Sequence, residues 1–280
     1  MKPGRASQTA LRVAIRRAAH QAVECPRILD DPISARLIGP EFARDMERAQ
    51  HKVARDFRSY IAARARFTEE CLTASYERKT RQFLLLGAGL DTFAYRNPLP
   101  ELMVYEVDYP ATQAWKRELL AEAGIEIPQN LRFVAVDFEE HPLLEELLAA
   151  GFDPASPVFC SWLGVVPYLT IEGFRKTLVT LATLAPGSGI SLDYALPPSR
   201  LTAERQRVFG GLMRRLEKAG EPLRLFFTEE EITAELTRAG FGKIELTGTE
   251  ELNRLYFTDR EDGLKLSGAG LSRIATAWRE

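Results

Sequence analysis

Cysteine and histidine are scarce in this chain. Cys25, Cys71 and Cys160 are scattered through 280 residues, as are His20, His51 and His141. Three separated cysteines make no disulfide framework and point to a reducing, cytoplasmic setting. Neither residue type recurs at metal-ligand spacing, so no metal is expected. Long apolar runs are also missing. No window of about 18 such residues occurs, so no membrane span is expected, and the first residues lack the apolar centre of a secretory signal. Net charge is −2, which gives no overall pull toward nucleic acid or membrane. The balance is uneven, however: residues 1–81 carry 17 Lys and Arg against 10 Asp and Glu. A solvated helical face accounts for this basic stretch more simply than an acidic ligand or RNA does. Repeats and low-complexity segments are absent. At 45% hydrophobic and 27% charged, what remains is one domain with a sizeable core.

Periodicity divides the chain. Residues 7–24 and 40–80 read as helices, with Val53, Phe57, Ile61, Thr68, Leu72 and Tyr76 on one stripe of the second. Beyond residue 81, short apolar runs at 83–86, 103–107, 132–136, 157–161 and 189–194 alternate with helical stretches, among them Ala111 to Ala123 and Pro142 to Ala150. Thr170 is placed to cap a further helix whose apolar face is Ile171, Phe174, Leu178, Leu181 and Leu184. Such alternation builds a parallel sheet with helices on both faces. Near the end, Thr228 to Glu231 reads as a capping box opening a helix that stops at Gly240. Strands follow near Lys243 to Thr247 and Leu271 to Trp278, the last a candidate for antiparallel pairing. The proline-interrupted stretch 196–226, after the fifth run, is expected to be partly helical and to form a lid.

The first strand ends in Gly87-Ala88-Gly89, followed by Asp91. Ligands of open parallel sheets bind beyond the carboxyl ends of the strands, and each candidate strand end here carries a suitable group. Asp108 lies 21 positions after Gly87, where an acid can accept from both hydroxyls of a ribose. Asp137 and Phe138 follow the third strand; the acid could meet an adenine amino group or cap a helix, and the ring could cover adenine or join the core. A dinucleotide site needs a third glycine so that a helix N-terminus can approach the pyrophosphate; here that position is Thr92. A phosphate-free nucleoside cofactor, S-adenosyl-L-methionine, suits the pattern better than NAD. Its carboxylate needs a cation. Arg64 falls on the apolar stripe of the helix before the first strand, whereas Arg66 points about 200° away. Arg64 is either that cation or the partner of Asp56 or of a strand-end acid.

At this point G-A-G-L-D-T-x-x-Y-R (Gly87 to Arg96), E-V-D-Y-P (Glu106 to Pro110) with Lys116 beyond it, V-x-V-D-F (Val134 to Phe138) and W-L-G-V-V-P-Y-L-T (Trp162 to Thr170) resemble the leucine carboxyl methyltransferase family, closest to its bacterial O-methyltransferase branch. Asp31 to Leu37 and Arg17 to His20 match an upstream motif of that branch loosely. The resemblance implies S-adenosyl-L-methionine as cofactor, with contacts from Gly87, Ala88, Gly89, Asp91, Asp108, Tyr109, Asp137 and Phe138, and with Arg64 on the carboxylate. Arg17 is a loose counterpart of a second cation. Many members carry a Glu before the glycine after the fourth strand. This chain has Leu163 there, so a contact at that point comes from backbone, from another acid, or not at all.

The expected fold is therefore α/β: a doubly wound, mostly parallel seven-stranded sheet, Rossmann-like, of the class I methyltransferase kind. It spans 1–280 as one domain, with a helical cap (1–80), a cofactor-binding core (81–195), a lid (196–226) and a C-terminal helix with strands (227–280). The expected reaction transfers a methyl group to a carboxylate or hydroxyl of a small molecule or peptide, with no nucleic-acid partner. No catalytic base is legible; His20 reads as a surface residue more readily than as a base. Tyr168 and Tyr194 are candidates for the substrate pocket, or for core. A nicotinamide-dependent oxidoreductase and a catalytically silent binder of the same cofactor remain alternatives.

Overall fold

A computed structural model describes residues 7–39, 42–44, 46, 53–137, 142–267 and 271–280. Seven strands form one sheet: β1 (Gln82–Leu86), β2 (Met103–Asp108), β3 (Leu131–Ala135), β4 (Val158–Trp162), β5 (Gly189–Ala195), β6 (Lys243–Thr247) and β7 (Ser272–Trp278). Their spatial order is β3-β2-β1-β4-β5-β7-β6. β1 to β5 pair in parallel, and β7 runs antiparallel to both of its neighbours. The helices are α1 (Gln8–Val23), α2 (Pro32–Ile38), α3 (Val53–Glu77), α4 (Pro110–Glu122), α5 (Leu143–Ala149), α6 (Ile171–Ala182), α7 (Ala203–Ala219), α8 (Glu229–Ala239) and α9 (Thr249–Tyr256).

The two-residue period of a strand sends alternate side chains to opposite faces. Leu84 and Leu86 of β1 join a core closed by α5, α6 and α8 through Leu147, Phe174, Leu178, Ile232 and Leu236. Phe83 and Leu85 join a second core with Leu72 of α3. A sheet buried on both faces explains the unbroken apolar strands. The strands occur within a residue or so of their predicted places, as does the antiparallel last strand. The caps occur as well: Thr170 Oγ1 accepts from Gly173 N at 3.1 Å, and Thr228 and Glu231 form the capping box.

Other segments differ from expectation. The helix expected over 40–80 is seen as Val53–Glu77; its first residues lie largely outside those described. Phe57 is exposed, with the Arg16 guanidinium 5.2 Å from its ring centre. Two helices lie outside the expected set. α2 starts at the Asp31-Pro32 pair, an N-cap and a first-turn proline, and α9 lies between β6 and β7. Several cations of the basic segment turn inward rather than to solvent: Arg17, Arg58 and Arg64 are all buried, and each is matched by an acid.

Candidate active site

Strand register brings the site together. Leu86 of β1 lies beside Val107, Asp108 beside Ala135, and Trp162 beside Leu192. The residues that follow these pairs therefore line up along one edge of the sheet: Gly87, Asp108, Asp137, Leu163 and Asp193. Gly87 N and Ala88 N both donate to Val107 O, at 2.8 and 3.0 Å, which pins the turn to the end of β2.

A cavity of about 270 Å³ opens over this edge. Arg64, Gly87, Ala88, Gly89, Asp91, Asp108, Tyr109, Asp137, Leu163 and Tyr168 all line it. Phe138 lies outside the described residues. Tyr194 does not belong to the lining. It is buried in the core beside α6 and α8, because strand alternation sends Asp193 and Tyr194 to opposite faces.

Each glycine of the turn has its own reason. Gly87 has φ +67°, and a Cβ there would overlap Val165 Cγ2. Gly89 has φ +51°, and its Cβ would lie 3.1 Å from that of Ala10 on α1. The turn is thus packed between the β4 loop and the N-terminal helix. Asp108 accepts from Gly89 N and, at 2.6 Å, from Tyr109 N. Burial raises the affinity of its carboxyl for a proton, and the two amides work against that. Each oxygen retains a lone pair for a further donor.

Arg64 is buried on α3, and its Nη1 donates to Asp193 on β5. Its other N–H groups have no hydrogen-bond partner among the described residues, and the side chain borders the cavity. The strand-end acid is thus its partner; Asp56 instead accepts from Ser267 N at 2.6 Å. Arg66, on the other side of the helix, is half-buried and bonds Glu70 at 2.8 Å. Thr92, where a dinucleotide site would have glycine, donates to the buried carboxylate of Asp31 at 2.7 Å.

Arg17, matched in the sequence only as a loose counterpart of a second cation, belongs to the site, and Glu221, Pro222 and Arg224 belong to it with no local sequence signal. Arg17 reaches the lining from α1 and pairs with Asp91 and, at 2.8 Å, with Asp31. Burial pushes the Asp91 carboxyl up, but Arg17 beside it holds it down at about 2. Glu221, just after α7, accepts from Gln8 N at 3.0 Å, Thr9 N at 2.9 Å and Thr9 Oγ1 at 2.6 Å. Those amides belong to the first turn of α1, which has no intrahelical acceptors for them. Glu221, Pro222 and Arg224 complete the cavity wall with Ser7, Thr9 and Ala10. Contacts across more than 200 residues leave no local pattern to read. His20 is wholly buried, not a surface residue. Its Nδ1 lies 3.0 Å from Glu24, and its Nε2 accepts from Ile28 N at 3.0 Å. It holds the turn after α1 and does not line the cavity.

A sheet in this order with only β7 reversed, and with a glycine turn and an acid on adjoining strand ends, defines the Rossmann-like class I methyltransferase fold. The crystal structure of a provisionally named methyltransferase from Thermobifida fusca YX matches it with a TM-score of 0.59 at 18% identity, over 100% of this chain and 97% of that one. A DUF574 family protein from Streptomyces avermitilis MA-4680 gives 0.59 at 18% identity, over 95% and 97%. At that identity these two speak for the fold alone. Residues 10–182 match the leucine carboxyl methyltransferase family. Bacillus subtilis (strain 168) YktD, provisionally named an S-adenosyl-L-methionine-dependent methyltransferase, is 32% identical over 90% of this chain and 92% of its own. A Mycobacterium sp. (strain JLS) protein of the same provisional name is 34% identical over 74% and 72%. The chain belongs to the leucine carboxyl methyltransferase family and is an enzyme of the methyltransferase class.

Proposed function

We propose that the chain transfers the methyl group of S-adenosyl-L-methionine to an oxygen of a small molecule or peptide, a carboxylate in preference to a hydroxyl. The methyl donor is supported by one observation above the others. A single cavity gathers the glycine turn, an Asp108 carboxylate with lone pairs to spare, and a buried Arg64 with unused N–H groups. Asp108 suits the two ribose hydroxyls, and Asp137 suits the adenine side. Arg64 suits a carboxylate, and the Gly87 to Gly89 backbone allows close approach. When bound, the cofactor supplies an electrophilic methyl on a sulfonium leaving group. The protein's part is to align donor and acceptor and to exclude water. A carboxylate acceptor is already ionised and needs no base. His20 is fully engaged elsewhere, which agrees with that choice. Segment 196–226 and the start of α1 act as the lid, with Tyr168, Thr9 and Arg224 toward the acceptor. Nothing supports the nicotinamide reading.

Calorimetric titration with S-adenosylhomocysteine tests the donor. Wild type should bind it and give no heat with NAD. Asp108→Ala should lose about 100-fold in affinity, as expected for two hydrogen bonds to a charged group. Unchanged affinity would remove Asp108 from the site. Labelled methyl transfer to a panel of carboxylates and phenols tests the acceptor, and transfer to phenols alone would reverse the preference.

A further inference from the structure

Asp193 sits near the end of β5, is 4% exposed, and does not reach the cavity. One of its oxygens takes Arg64 Nη1 and the other accepts from Gly164 N at 2.5 Å. Gly164 follows Leu163 in the β4 loop and has φ +74°; a Cβ there would stand 3.2 Å from Arg64 Nη2. One carboxylate therefore joins three elements: α3, the loop after β4, and β5. A buried ion pair is a poor source of stability, because both charges lose their water. Holding a long cation still is a different use. Arg64 faces open space on its cavity side, so without a tether its guanidinium would sample several rotamers.

We propose that Asp193 is a positioning residue. It holds the Arg64 guanidinium and the Leu163-Gly164 turn in register, so that the remaining N–H groups of Arg64 meet the amino-acid end of the cofactor. This rests on the cofactor reading above. Charge alone would act in the opposite direction. Without Asp193, Arg64 carries an unshared positive charge and should attract a carboxylate more strongly. The two effects differ in sign, so binding decides between them.

The experiment compares S-adenosylhomocysteine with 5′-methylthioadenosine, which lacks the amino-acid end, by calorimetry on wild type, Asp193→Ala, Asp193→Asn, Arg64→Ala and the Arg64→Ala/Asp193→Ala double variant. Asp193→Ala should weaken S-adenosylhomocysteine about 30-fold, the equivalent of about 2 kcal/mol of arginine side-chain entropy, and leave 5′-methylthioadenosine within about two-fold. Asp193→Asn keeps an oxygen acceptor and should lose less. With Arg64 already Ala, removal of Asp193 should add nothing. Three results would each overturn the proposal: tighter S-adenosylhomocysteine, equal losses for both ligands, or a full Asp193→Ala effect without Arg64. If circular dichroism shows Asp193→Ala unfolded, Asp193→Asn carries the comparison with the same expected direction. If wild type binds neither ligand, the cofactor reading fails and takes this inference with it.

Discussion

Gly87 illustrates how much one residue can be asked to do. Its backbone is left-handed and its missing side chain leaves room for Val165. Gly87→Ala therefore costs both backbone strain and overpacking, together about 2–5 kcal/mol. Urea denaturation should show the loss, and Val165→Ala in the same chain should return the packing share only. Full recovery would mean that the backbone conformation costs nothing. The sequence shows that a tight turn is needed here, but not which neighbour makes it tight. The same limit applies to Arg64. Its place on an apolar stripe made it legible as buried and paired, whereas Asp193 as its partner depends on strand pairing. Tyr194 shows the opposite failure. Proximity to a strand end is not enough, because the next residue along the strand faces the other way.

Among the elements, strands were the most legible. Runs buried on both faces leave unbroken apolar letters, and helices between them show their caps. α9 escaped because it is eight residues long and held by partners far away in sequence. α1 was legible as a helix but not as part of the cavity wall, because its fastening is remote. Glu221 caps its first turn with two backbone acceptances and one from Thr9, and its negative charge also suits a helix N-terminus. Glu221→Ala should cost about 1–3 kcal/mol at that end of the helix. Hydrogen exchange locates the effect: amides of Gln8 to Leu11 should lose protection while those of β1 and β4 keep theirs. A uniform loss across the sheet would make Glu221 a general stability residue and not a fastener of α1.

For the molecule as a whole, pH reports on a buried pair away from the cavity wall. Glu106 of β2 meets Lys116 Nζ at 2.6 Å, both 1% exposed, and its second oxygen has no hydrogen-bond partner among the described residues. Burial outweighs the lysine and pushes the Glu106 carboxyl up to about 7 from 4.5. The folded state therefore keeps a proton that the unfolded chain has released, and the stability tied to it falls as pH rises from 4.5 through 7. Unfolding free energies of wild type and Glu106→Gln, compared across that range, should diverge in favour of the glutamine variant as pH rises. A constant difference would mean that Glu106 ionises normally. The clasp between α1 and Glu221 has a further consequence, in time and not in space. Gln8 and Glu221 are 213 positions apart, so the helix that roofs the cavity leaves the ribosome early and finds its anchor late. The first turn of α1 is therefore fastened only once residue 221 has been made, and the cavity wall needs residues from both halves of the chain.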